Sequence, residues 1–190
     1  MTSEQVMDPE GDDTVADRSG DPDPAGSPGR DASVIVGSFV VLGVVGAFVW
    51  WLLVDPALFT ETKSGGAMGE AQLAKRFATD GWYAVIGALG GLLAGAGLCW
   101  WRGRDPLFTS VMLVVGSVVA AATMAWVGYL IGPGDPTAAL AHASVGARVP
   151  VSLSVNTGAS YLAWPIGTLV GALIVLWSAS AEGRRRRGPA

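Results

Sequence analysis

Four long apolar runs without a charged residue constrain this sequence more than any other feature. They cover residues 34–54, 82–101, 106–131 and 164–181. A helix rises 1.5 Å per residue, so about 20 residues cross the ~30 Å hydrocarbon core of a bilayer. In hydrocarbon, each backbone polar group must be satisfied within its own segment, so each run predicts a transmembrane helix. The alternative, a soluble bundle, would require a polar stripe along each helix, and the runs have none.

Charged residues are concentrated at the two ends of the chain. Residues 1–31 hold nine acidic residues and lack an apolar period, which predicts a disordered acidic tail. Residues 182–190 form a basic tail that contains four consecutive arginines. The formal net charge of −4 therefore averages two tails that act locally. The single cysteine, Cys99, excludes an intramolecular disulfide and is interpreted as a small packing residue.

Basic residues near the apolar runs predict the orientation of the chain. The turn between the second and third runs is only a few residues long and carries Arg102 and Arg104. Positive residues in short loops stay on the cytoplasmic side, and four spans then place both termini there as well. Arg184, Arg185, Arg186 and Arg187 agree with this orientation and are expected to contact anionic lipid headgroups.

Glycines recur at four-residue spacing in the second and fourth runs. Gly87, Gly91 and Gly95 form successive GxxxG pairs, and Gly167 and Gly171 form another. Such stripes allow two helix backbones to approach closely, so all five glycines are predicted to pack helices together. The stripes could serve packing within one bundle or contact with a second copy or a membrane-protein partner, and the sequence leaves both open.

The two loops on the predicted outer side carry patterns of their own. Residues 69–81 have helical periodicity, which predicts an extension of the second span with an Arg76–Asp80 pair on its surface. Residues 149–155 alternate apolar and polar side chains, as a strand does. A lone strand is unstable, and residues 57–63 are the only other plausible strand. The fold class is therefore an all-α membrane protein: a four-helix bundle with a small extracellular cap, in which these two segments could pair.

Chemistry-bearing residues are sparse. No span contains an ionisable residue in its middle, which argues against an ion-coupled transporter. His142 has no second histidine or cysteine near it, and no nucleotide-binding, hydrolase or zinc-protease motif is present. We therefore predict no catalytic, cofactor-binding or metal-binding residues, no cofactor and no nucleic-acid partner.

Three stretches resemble a known family. They are "FATDGWYAVIGALGGLLAGAGLCWWRGRDP", "GPGDP" after the third run, and "YLAWPIGTLVGAL" at the start of the fourth. Together they resemble an actinobacterial family of four-span membrane proteins that is catalogued as a domain of unknown function. The resemblance covers about residues 34–180 and is carried by Phe77, Asp80, the Trp100–Trp101 pair and the Trp164–Pro165 pair. It implies a plasma-membrane location and provides no catalytic residue.

Three functional hypotheses follow. The first is a non-enzymatic scaffold or accessory protein of the cell envelope, recognised through its outer loops and glycine faces. The second is a small transporter or channel subunit in which the glycine-rich spans line a passage after oligomerisation. The third is an envelope enzyme that uses outer residues such as Asp80, His142 or Arg148. The first is our prediction, with the lipid bilayer and a second copy or membrane protein as partners.

Overall fold

The structure, a computed structural model, describes residues 28–102 and 106–186 of the 190-residue chain. Most of these residues are helical, and a small three-stranded sheet lies at one end. In chain order the elements are α1 Pro28–Leu53, β1 Leu58–Thr62, β2 Gly65–Ala67, α2 Glu70–Arg102, α3 Pro106–Ile131, α4 Pro136–Ala141, β3 Arg148–Pro150, a 3₁₀ turn Gly158–Leu162 and α5 Ala163–Arg186. The long helices α1, α2, α3 and α5 are each long and apolar enough to cross a membrane.

The helix ends reflect local sequence chemistry. Pro106 begins α3 because proline suits a first helical turn, as the sequence predicts. α2 begins twelve residues before the second apolar run, so the predicted extension of that span is confirmed as one continuous helix. α1 begins at Pro28, and Asp31 lies in its first turn, where the helix dipole favours an acidic residue.

Both tails are shorter than the sequence suggests. Residues 28–31 belong to α1 rather than to the acidic tail, and residues 182–186 belong to α5 rather than to the basic tail. The remainder of the predicted tails, residues 1–27 and 187–190, lies outside the described residues.

The four long helices form two parallel pairs, α1 with α3 and α2 with α5. Phe39 of α1 lies against Gly116 of α3, and further along both helices Trp50 lies against Gly128. Contacts that advance in the same direction along both helices show that the pair is parallel. Gly167 and Gly171 of α5 meet Ala88 and Leu92 of α2 in the same way. The two connections that form the sheet therefore lie at one end, and the α2–α3 junction lies at the other.

Two tryptophans and a tyrosine fill the space between the pairs near the sheet. Trp50 and Tyr83 are fully buried, with ring centroids 5.2 Å apart in an edge-on arrangement. Tyr83 Oη donates to the carbonyl oxygen of Ala121 at 2.7 Å, which ties α2 to α3. Trp164 is 1% exposed, and its Nε1 lies 3.4 Å from the sulfur of Met124. These aromatic contacts join the two helix pairs into one bundle.

All eight tryptophans lie near an end of an apolar run, where an amphipathic ring favours the headgroup level, but two of them are buried inside the bundle. Trp50 and Trp164 are among the most buried side chains of the bundle. Each has found an acceptor for its indole N–H inside the protein, which is what allows an indole ring to be buried. The others lie on the outer surface: Trp51, Trp82, Trp100, Trp101, Trp126 and Trp177.

The sheet, with α4 against it, forms a cap at one end of the bundle. Its strand order is β2–β1–β3, and both pairings are antiparallel. β1 and β3 come from the two segments that the sequence suggests could pair, and Phe59 lies opposite Val149 in the register. The strand predicted over residues 149–155 is wrong beyond Pro150, where β3 ends. The third strand, β2, was not predicted. It follows a turn in which Gly65 has φ +111°, a conformation that favours glycine.

The short helix α4 was also not predicted. Asp135 caps it by accepting a hydrogen bond from the Thr137 N–H at 2.9 Å, and Pro136 occupies the first turn. Hydrogen bonds from Thr137 hold the pKa of Asp135 below its ordinary value. The contribution of this cap to stability is therefore present at neutral pH and lost as the pH falls through that lowered pKa. In the sequence, "GPGDP" indicated only the end of the third span.

Candidate functional site

Polar side chains at the start of α2 hold the segment before α5 against the bundle. Asp80 is 6% exposed, and its Oδ1 accepts a hydrogen bond from the Asn156 N–H at 3.1 Å. Its Oδ2 accepts from the Thr157 hydroxyl at 2.7 Å. One turn earlier on α2, the Arg76 guanidinium donates to Oδ1 of Asn156 at 2.7 Å. We call Arg76, Asp80, Asn156 and Thr157 the polar junction.

The predicted Arg76–Asp80 ion pair is wrong. No ion pair joins Arg76 to Asp80, whereas Lys75 Nζ of the same helix lies 2.5 Å from Asp55 Oδ2. Both members of the predicted pair bond to the 156–157 segment instead. Burial of a carboxylate is costly unless hydrogen-bond donors reach its oxygens. The Asn156 N–H and the Thr157 hydroxyl supply one donor to each oxygen of Asp80. These bonds also give the Asn156 N–H and the Thr157 hydroxyl an acceptor.

The polar junction is continuous with the aromatic interior. Thr79, next to Asp80 in α2, accepts a hydrogen bond from Trp50 Nε1 at its carbonyl oxygen, at a distance of 3.0 Å. The Thr79 hydroxyl donates to the Lys75 carbonyl oxygen one turn back. A single stretch of α2 thus binds the cap segment on one side and α1 on the other, which positions the cap relative to the bundle.

A small cavity lies beside the polar junction. Its volume is about 10 Å³, about one probe sphere and so near the minimum that holds a single water molecule. The side chains around it come from α2, from the connection after α1 and from residues 151–156. They include Arg76, Thr79, Ser152, Ser154 and Asn156. A cavity of this size is too small for a substrate.

A larger groove lies on the outer face of α3, near the 3₁₀ turn. Its volume is about 390 Å³, and it is open on one side. The lining is mostly apolar, with three hydroxyl-bearing side chains among its members: Ala122, Ala125, Trp126, Tyr129, Ser154, Val155 and Tyr161. Ser154 lines both this groove and the small cavity, so the two are adjacent.

The five glycines that the sequence singles out all lie in the contact between α2 and α5. A Cβ atom at Gly91 would overlap the Trp164 carbonyl oxygen, and one at Gly95 would overlap that of Thr168. A Cβ atom at Gly167 or Gly171 would overlap the carbonyl oxygen of Ala88 or Leu92. Gly87 instead receives the ring of Trp164. The stripes of both helices are therefore occupied within one chain.

Four of the arginines that predict orientation lie at the end opposite the cap. Arg102 is the last residue of α2, and Arg184 to Arg186 form the last turn of α5. α2 and α5 are parallel, so their last residues lie at the same end of the bundle. Arg104 and Arg187 lie outside the described residues.

The residues of the enzyme hypothesis do not form one cluster. Asp80 belongs to the polar junction, His142 ends α4, and Arg148 begins β3. No hydrogen bond or ion pair joins any two of them in the described ranges. No group of three or more histidine, cysteine, aspartate or glutamate side chains in these ranges is arranged to hold a metal ion.

Sequence reasoning identified Asp80 and Arg76 as notable but missed their partners. Asn156 and Thr157 were interpreted as a turn leading into the fourth span. Asp80 is a carboxylate that needs hydrogen-bond donors, and the Asn156–Thr157 turn could supply them. The two segments lie opposite each other only because α2 pairs with α5, and local sequence patterns do not show that pairing.

Comparisons with protein-family models, curated proteins and solved structures give no match to this chain. The functional argument therefore depends on the chain's own geometry.

Proposed function

We propose that this chain is a multi-pass protein of the plasma membrane, with both termini in the cytoplasm and the cap outside. Support comes from four helices long and apolar enough to cross a bilayer and from large apolar side chains on their outer surfaces. Phe48, Leu93 and Leu173 are examples, and each is about half exposed or more. Such a surface suits hydrocarbon and would aggregate in water. The resemblance to the actinobacterial four-span family also favours this location.

The orientation follows from the distribution of basic residues. In the sequence, Arg102, Arg104 and the run 184–187 lie within a few residues of the helix ends opposite the cap, Arg18 precedes α1, and Arg30 lies in the first turn of α1. The cap side has four basic residues spread over two long connections: Lys63, Lys75, Arg76 and Arg148. The excess at helix ends favours that side as cytoplasmic. There each arginine of the 184–187 run would contribute about 1 kcal/mol of attraction to anionic lipid headgroups.

Within the membrane, we propose that the protein acts as a non-enzymatic scaffold or accessory protein of the cell envelope. One observation carries this proposal: the polar junction and Trp50 fix the cap rigidly on a bundle whose interior is filled with aromatic rings. A fixed cap presents a constant surface to a partner outside the membrane. The lining of the open groove adds a second surface on α3.

The transporter or channel alternative would need a passage between chains. Trp50, Tyr83 and Trp164 occupy the space between the two helix pairs of one chain. The test is the flux of small solutes across liposome membranes that contain the purified protein at several protein-to-lipid ratios. A flux that rises steeply with the protein-to-lipid ratio would favour this alternative.

Site-specific photo-crosslinking in intact cells tests the scaffold proposal. A crosslinker at the exposed cap residues Lys63 or Ser64 is expected to give one discrete adduct with another envelope protein. The matched control is the same crosslinker at Leu173, on the outward face of α5, which is expected to give lipid adducts only. No protein adduct from any cap position, in cells that express the protein at its natural level, would contradict the proposal.

A further inference from the structure

The groove on α3 has an apolar body. Ala122 and Ala125 lie three residues apart on one face of α3, and their small side chains leave the depression between the larger rings. Trp126, Tyr129 and Tyr161 form its walls, and Val155 closes the side towards the cap. All three rings are at least one-third exposed, so the groove opens outwards, towards the surroundings of the bundle.

The size of the groove suits one hydrocarbon chain. A methylene group takes about as much space as a water molecule, whose share of liquid volume is ~30 Å³, so 390 Å³ holds roughly a dozen carbons. Two turns of an α-helix about 10 Å across would occupy roughly 850 Å³. A hydrocarbon chain therefore matches the groove in size, whereas a partner helix seated on it would lie mostly outside it.

The end of the groove next to the cap carries unpaired hydrogen-bond donors. No hydrogen bond joins the hydroxyls of Tyr129, Tyr161 or Ser154 to another of the described residues. Ser154 also lines the cavity beside Arg76. In the described ranges Arg76 has no carboxylate partner: its guanidinium donates to the neutral amide oxygen of Asn156. Three hydroxyls in the groove, with a guanidinium in the cavity that adjoins it at Ser154, favour an acceptor-rich anion.

We propose that this groove binds one phospholipid of the outer leaflet. One acyl chain lies against Ala122 and Ala125, and the phosphate accepts hydrogen bonds from the tyrosine hydroxyls and Ser154, with the positive charge of Arg76 in the adjoining cavity. An acyl chain that moves from bulk lipid into the groove gains little free energy, because both surroundings are apolar. Selectivity therefore comes from the phosphate end. This inference depends on the proposed membrane location.

Lipids of matched chain length test the phosphate end. The full-length protein, purified in mild detergent, is mixed with phosphatidylglycerol or with the diacylglycerol of the same chains, and bound lipid is measured by native mass spectrometry. We expect one phosphatidylglycerol per chain and binding of diacylglycerol weaker by about tenfold or more, the effect of one charge-assisted hydrogen bond. Equal binding of the two lipids would overturn the proposal.

A pair of tryptophan substitutions tests the groove itself. Ala122→Trp fills the groove from an exposed position and is expected to abolish binding of phosphatidylglycerol. Leu173→Trp places the same ring on the outward face of α5 and is expected to leave binding unchanged. Retention of the lipid by Ala122→Trp would overturn the proposal, as would a crosslink from Ala122 to a second protein chain instead of lipid.

A second pair separates binding from cap stability. Arg76→Gln is expected to weaken binding of phosphatidylglycerol about tenfold. Asn156→Ala removes the contact between Arg76 and Asn156 but keeps the guanidinium, so lipid binding is expected to persist. Equal loss in both variants would show that cap stability, and not the guanidinium, controls binding. A negative result in any of these lipid-binding experiments would not contradict the proposed membrane location. That location is tested separately, by whether detergent is needed to extract the protein from membranes.

Discussion

The two parallel helix pairs reach close contact by the same two means in different proportions, since Gly87 of α2 also receives a ring and Gly43 of α1 also meets the Ala120 carbonyl oxygen. Between α2 and α5, glycines on both helices bring backbone against backbone, and the nearest atoms to Gly95 and Gly171 belong to main-chain carbonyls. Between α1 and α3, large rings enter holes left by glycine: Phe39 fills the space at Gly116, and Trp50 fills the space at Gly128. A side chain can move aside, whereas a helix backbone moves only with its whole helix. The α2–α5 contact is therefore expected to tolerate less change.

The largest expected effect is at the backbone contact. Gly95→Ala places a methyl group onto the Thr168 carbonyl oxygen, and we expect the free energy of unfolding to fall by about 3 kcal/mol, the upper range for overpacking. Gly97→Ala is the matched control, because a Cβ atom there meets nothing within 4 Å. Thermal unfolding in detergent measures both variants, and equal stability of the two would contradict the close contact.

The ring-filled contact should yield to a compensating change. Gly116→Ala is expected to cost about 1–2 kcal/mol of unfolding free energy, because the new methyl group meets the ring of Phe39. Adding Phe39→Leu removes that ring and is expected to restore part of the loss. The same strategy should fail for Gly95→Ala combined with Thr168→Ala, since the obstacle there is the carbonyl oxygen. Rescue at both sites would erase the distinction between the pairs.

A more local effect is expected where the cap meets the bundle. Asp80→Ala leaves the Asn156 N–H and the Thr157 hydroxyl without their acceptor, at a cost of about 1–3 kcal/mol. Amide hydrogen exchange should speed up around residues 148–157 and stay unchanged in α1 and α3. Thr157→Val, which removes only one of the two bonds, should have the smaller effect. A uniform rise in exchange would mean that the cap and bundle unfold together.

The smallest effect is expected at the surface ion pair. Lys75 and Asp55 are largely exposed, so their attraction is screened by water, and Lys75→Ala is expected to change the free energy of unfolding by at most about 0.5 kcal/mol. The measurement is the free energy of unfolding of Lys75→Ala and of the unsubstituted protein, in low and in high salt. If Lys75→Ala lowered this free energy as much as Asp80→Ala does, the ion pair would contribute to docking of the cap.

The sequence predicted the long helices well because each depends on local chemistry. Absence of charge over about 20 residues, with proline at an end, is sufficient to define a helix such as α3. β1 and β3 were also predictable as a pair, because an isolated strand needs a partner. β2 was not, since Gly65, Gly66 and Ala67 have no side-chain pattern and their pairing depends on the turn at Gly65.

Contacts between distant segments were beyond local patterns. Trp50 and Trp51 are neighbours at one helix end, yet the first is fully buried and the second is 46% exposed. Successive residues of a helix point about 100° apart, so only the position of α2 decides which ring is inside. The polar junction has the same origin: Asp80 and Thr157 are 77 residues apart in sequence.

The account depends most on the chain crossing the membrane with its cap outside, which cysteine labelling tests directly. In a Cys99→Ala background, Ser64→Cys places a thiol in the exposed turn of the cap, and Ala190→Cys places one at the C-terminus. A membrane-impermeant maleimide is expected to label Ser64→Cys in intact cells and Ala190→Cys only after permeabilisation. Labelling of Ala190→Cys in intact cells, or recovery of the protein in the aqueous fraction without detergent, would contradict the account.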